Sequence, residues 1–97
     1  MKMEVIDEIS RYMELDREAL LKQGVEAFLR DQKRRLMLDK HQILSRYHVS
    51  DSAEMGEKIQ FGELEEHPAW EDLITLENLE EAIQKLDGYL TDLQRSA

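Results

Sequence analysis

The sequence predicts an all-α protein: a helical hairpin with a long second helix, a short linker helix and a C-terminal amphipathic helix. Three observations carry this. Leu76, Leu79, Ile83, Leu86, Leu90 and Leu93 follow one another at spacings of 3, 4, 3, 4 and 3, the a/d repeat of a packed helix. One Pro and four Gly among 97 residues leave little room for long loops. No segment alternates apolar and polar residues as a half-buried strand would.

The elements follow in order. Val5, Ile6, Ile9, Tyr12 and Met13 recur at helical spacing, so residues 3–13 read as a first helix. Asp16 is a good N-cap, because its carboxylate accepts the free N–H groups of the next turn. Leu15 and Leu20 around it fit a hydrophobic staple. A second helix therefore starts near Arg17 and runs to about residue 47; a single rod through Asp16 is the less favoured alternative. Its apolar residues are Leu20, Leu21, Val25, Phe28, Leu29, Leu36, Ile43, Leu44 and Tyr47. Gly24 weakens this helix without ending it. Ser50 or Asp51 caps a short helix over about 52–60, and Gly62 is placed to end it. Pro68 suits the first turn of the last helix, where a missing N–H does no harm. That helix runs to about Gln94, with a bend expected near Ile74-Thr75.

Composition bounds the function. Ninety-seven residues make one domain at most, divided here into a hairpin and dimerisation region (1–49) and an acidic, partner-binding helical region (50–97). The net charge of −9 is uneven: residues 1–49 sum to +1 and residues 50–97 to −10. Zero Cys excludes disulfides, thiolate metal sites and thiol nucleophiles. No apolar run approaches the ~20 residues of a membrane span. Glu4, Asp7 and Glu8 spoil any N-terminal signal peptide, so a cytoplasmic protein that avoids membranes is expected.

Catalytic chemistry finds no support. His41 and His48 are two turns apart and lack the Glu-x-x-His pattern of carboxylate-bridged metal bundles. His67 lies among Glu63, Glu65 and Glu66, a solvated loop. No nucleophile elbow or phosphate-binding loop occurs. The expectation is a protein that is not an enzyme and holds no metal or cofactor.

Binding features are more informative. Ala82 and Tyr89 at g positions widen the apolar face of the C-terminal helix, and the e positions Glu80, Asp87 and Gln94 offer no charge pairs to select a two-stranded coil. Such a face suits a bundle or a partner surface. Trp70, Leu76, Leu79, Ile83, Leu86 and Leu90 are therefore the expected partner-binding residues. The stripe of the second helix is ~45 Å long at 1.5 Å per residue, longer than a compact domain of this size is wide. A second copy is the expected cover, with Leu21, Val25, Phe28, Leu29, Leu36 and Ile43 at a dimer interface. Arg30, Lys33 and Arg34 are candidate nucleic-acid contacts, against a reading as a solvated, ion-paired helix face such as Asp31 with Arg35.

The stretch from Val5 through Ser10-Arg11-Tyr12-Met13-Glu14-Leu15-Asp16-Arg17-Glu18-Ala19-Leu20-Leu21 to Phe28-Leu29 resembles the helical hairpin of ribbon-helix-helix antitoxins. Only Met1 to Glu4 precede the resembling stretch, so little ribbon for DNA reading is expected. Glu65-Glu66-His67-Pro68-Ala69-Trp70-Glu71-Asp72 is similar to segments of small prokaryotic toxin–antitoxin proteins. The resemblance implies a type II antitoxin that covers a basic toxin with its acidic C-terminal segment and makes autoregulatory DNA contact. The alternative is a homo-oligomeric helical scaffold or adaptor without a toxin.

Overall fold

A computed structural model describes residues 3–96. The chain is all-helical, with α1 (Met3–Tyr12), α2 (Arg17–Tyr47), α3 (Ser52–Gln60) and α4 (Glu66–Arg95). The breaks fall where capping chemistry dictates. The Asp16 carboxylate accepts the Ala19 N–H at 2.7 Å and opens α2. Asp51 does the same for the Glu54 N–H at 2.8 Å, and the Glu54 carboxylate reaches back to the Ser50 N–H at 2.7 Å. This reciprocal pair follows capping-box logic and opens α3. His48 closes α2 in the left-handed conformation, at φ 55°. Gly62 turns the chain after α3 with φ 74°, a conformation that favours glycine. Residues 3–47 are thus two helices.

The bend in α4 lies at His67 and not near Ile74-Thr75. His67 has φ −106° and ψ 129°, the one non-helical residue inside the element. The physical reason is local: the residue before a proline is driven out of the α region. Regular helix begins with Pro68, whose missing N–H would be unpaired in the first turn anyway.

The two long helices run antiparallel. Lys22 Nζ donates to the Ser96 carbonyl at 2.8 Å, Lys33 Nζ lies 2.6 Å from Asp87, and Arg46 Nη1 lies 3.1 Å from Asp72. As residue numbers climb along α2, their partners fall along α4. The result is a rod of 60 × 24 × 17 Å with a radius of gyration of 19.4 Å, against about 12.5 Å expected for a compact domain of this length.

The core sits at one end, where α3 closes over the hairpin. Ile43, Val49, Met55, Ala69, Leu73 and Leu76 are buried there, and Leu44, Tyr47, Ile59, Leu64 and Leu79 pack against them. Enclosure needs a third element, because two helices alone share only one seam. Beyond α3 the seam residues Leu29, Leu36, Ile83, Leu86, Leu90 and Leu93 are half-buried. Polar bonds fasten the closed end. The Ser52 N–H donates to Glu80 at 3.0 Å, the Ser52 hydroxyl donates to the same carboxylate, and the Tyr47 hydroxyl donates to Asp72.

This geometry corrects two expectations. The length of α2 does not itself demand a second copy, because the molecule is not compact and α4 lies along α2 for most of its length. Ile43, expected at a dimer interface, is 7% exposed and belongs to the chain's own core. Leu21, Val25 and Phe28 remain exposed.

Candidate functional site

The closed end of the rod carries a solvent-facing aromatic tip. Its origin is the phase of α4. Ala69, Leu73 and Leu76 turn inward, so Trp70 and Ile74, one residue further on and one turn apart, turn outward. Trp70 is 54% exposed. It shares with Gly56, Ile59, Gln60 and Glu66 an open depression of about 550 Å³ between α3 and α4. Phe61, which caps α3 before the Gly62 turn, is 74% exposed.

Carboxylates are dense in this part of the chain, and Glu66 lines the Trp70 depression. Residues 50–84 hold eleven Asp and Glu against one Lys, and Glu57, Glu63, Glu65, Glu66 and Glu71 are exposed. The single cation, Lys58, lies 4.0 Å from Glu54 and donates to the His48 carbonyl. Asp72 accepts from both Arg46 and Tyr47, which ties it to the hairpin. Burial pushes the Tyr47 hydroxyl above its ordinary pKa, and the neighbouring Asp72 adds to the shift. His67 Nδ1 lies 3.7 Å from Glu71 on an exposed edge. Among the described residues no group of three His, Asp or Glu side chains is placed to hold a metal ion. An exposed aromatic in an acidic rim has the form of a docking surface for a cationic, partly apolar partner.

The remaining predicted residues scatter. Leu76 is fully buried between α4, α3 and α2, so it is a core residue and not a partner contact. Leu79 packs against the same core. Ile83, Leu86 and Leu90 are half-buried along the seam with α2. The heptad stripe is therefore largely an internal contact; its periodicity specifies a helical neighbour without saying which chain supplies it. Trp70 alone of that set stands free of the seam.

The basic run is ion-paired within the chain. Arg30 lies 3.9 Å from Glu26, Arg34 lies 2.9 Å from Asp31, and Lys33 lies 2.6 Å from Asp87. Asp31 also takes Arg35 at 3.2 Å. The hydrogen bond from Arg34, with help from the Arg35 charge, holds the Asp31 carboxyl below its ordinary pKa although burial opposes the shift. Each of the three candidate phosphate contacts thus has a carboxylate beside it.

Two features escaped the sequence reading. Phe61 and Ile74 belong to the tip; the available signals were an aromatic before Gly62 and an apolar residue at i+4 from Trp70. A second apolar surface lies at the far end, where Ile6, Ile9 and Leu20 join Leu21, Val25 and Phe28.

Fold and surfaces together define an elongated all-α hairpin protein with apolar patches at both ends. A family model described as "Uncharacterized protein MJ0235 family" matches residues 1–97, and the chain belongs to that family. No curated protein and no solved structure matches it. No helix among the described residues is long and apolar enough to cross a membrane.

Proposed function

We propose that this chain is a non-catalytic cytoplasmic binding protein that takes a basic protein partner at its Trp70 tip, the role an antitoxin plays toward a basic toxin. One observation carries the reading: Trp70 is more than half exposed, in a depression that Glu66 also lines and in a stretch of the chain rich in exposed carboxylates. The carboxylates steer a cationic partner and accelerate encounter, while burial of the indole with Phe61 and Ile74 supplies affinity. The anchor is the tip, since the heptad stripe is engaged by α2. Pairing of Arg30, Lys33 and Arg34 with carboxylates gives autoregulatory DNA contact less support than partner binding.

A second reading, a helical scaffold or adaptor with no toxin, is favoured by that same engagement. A segment that wraps a toxin would hold its stripe free, whereas α4 completes its own hairpin. Affinity capture from the source cells with wild-type protein and Trp70→Ala separates the two. The proposal expects a basic protein captured by the wild type and lost with Trp70→Ala. Capture of no basic protein, or capture indifferent to Trp70, favours the scaffold.

A further inference from the structure

The chain exposes 7477 Å². A compact monomer of its 11.5 kDa mass exposes about 5,800 Å² by the area–mass relation, which leaves an excess of about 1,700 Å². That excess is more than the roughly 800 Å² that each partner contributes to a standard interface.

Apolar surface within it is continuous on one face, away from the Trp70 tip. At the junction of α1 and α2, Ile6, Ile9, Leu20, Leu21, Val25 and Phe28 line an open groove together with Gly24. Phe28 also lines the adjoining groove between α2 and α4, with Leu29, Leu36, Ala82 and Leu86. Phe28, at the join, is 62% exposed; Ile9, Leu21 and Val25 are 43%, 44% and 46% exposed. We infer that this face binds a second copy of the chain, a two-fold contact that turns two helical hairpins into a four-helix bundle.

Charge selects the occupant. The first groove is lined by no ionisable residue. The second carries Glu81 and Lys85, one of each sign, beside the neutral Gln32 and Asn78. In a chain of net charge −9, this face is neutral. Two copies that meet here oppose no net like charge. A two-fold contact is also self-complementary, so a rim bearing both signs offers each charge an opposite. A basic partner of the kind proposed for the tip finds one carboxylate here, with a lysine beside it. Gly24 agrees. A Cβ added there meets nothing within 4 Å, and a helix-interior glycine weakens α2 relative to alanine. No contact within one chain requires it, whereas a missing side chain lets a second helix approach closely.

The test is sedimentation velocity at micromolar concentration, with circular dichroism on the same samples, and it is independent of partner capture at Trp70. Wild type is expected at twice the chain mass. Phe28→Glu is expected to raise the dimer dissociation constant by roughly a hundred-fold or more, because a central anchor is lost from both sides of the two-fold. Gly24→Lys places a charge in the same groove while improving helix propensity, so it is expected to dissociate as a folded helical monomer even if Phe28→Glu fails to fold. Met37→Glu, nine residues from Phe28 and half a turn round α2, is expected to stay dimeric. Wild type at the chain mass, a folded Gly24→Lys that stays dimeric, or dissociation by Met37→Glu as strong as by Phe28→Glu overturns the inference.

Discussion

Leu76→Ala distinguishes an internal seam from a partner surface. Leu76 has no solvent exposure and lies with Met55, Ala69 and Leu73, which are 0%, 1% and 6% exposed. Removing buried leucine methyl groups costs their transfer free energy plus a cavity term, together about 2–5 kcal/mol. Met55 is flexible enough to fill part of the space, so about 3 kcal/mol is expected. A domain of this length carries roughly 5–15 kcal/mol of stability in total, and each 1 kcal/mol moves its melting temperature by about 4–8 °C. Melting should therefore fall by roughly 12–24 °C. Urea unfolding followed by far-ultraviolet circular dichroism gives the free energy, with an unchanged slope showing that the compactness of the end states is intact. Tyr12→Ala is the control: Tyr12 is 86% exposed, and the expected change lies within about 0.5 kcal/mol. If Leu76→Ala alone lowers stability by less than about 1 kcal/mol, below the range for a buried leucine, Leu76 is not a core residue and the antiparallel packing of α4 on α2 and α3 is refuted.

Two further outcomes follow from the caps and from Tyr47. Asp16→Ala and Asp51→Ala each remove a side-chain acceptor from a helix N-terminus and should each cost about 1 kcal/mol; the two caps share no partners, so the double variant should show the sum in urea unfolding. Tyr47 has a pKa raised above 10.0 in the folded chain, so the folded state holds this proton more tightly than the unfolded state does. Its contribution is fully present below pH 10.0 and disappears as pH rises through the raised value. Wild type should therefore lose stability above that pH faster than Tyr47→Phe, and parallel alkaline melting curves would count against the Tyr47–Asp72 bond.

The elements and their boundaries were legible in the residues. Asp16, Asp51 and Gly62 act locally, each through a hydrogen bond or dihedral preference that needs no distant neighbour, and each stands at the break expected of it. The start of the last helix at Pro68 agrees with the structure, because the proline ring excludes the α conformation at His67; the further bend expected near Ile74-Thr75 is not there, since His67 is the one non-helical residue inside α4. The tip was half legible. Trp70 was singled out by its acidic neighbours, but its outward direction follows from Ala69 and Leu73 taking the core side.

Helicity, capping and the charge division between the halves are properties of short segments, and the sequence by itself determined them. Tertiary structure alone decided which apolar residues are satisfied. The apolar residues of α2 spread over too wide an arc to point one way, with Phe28 and Met37 half a turn apart. A heptad stripe such as that of α4 asks for a helical neighbour without naming it. Antiparallel pairing answers both: it gives Leu76 and Ile43 to the core, leaves Leu86 and Leu90 half-covered, and sets Phe28 and Trp70 in solvent. The physical reason is that periodicity records the direction of a side chain relative to its own helix axis, whereas burial depends on what another part of the chain places opposite it.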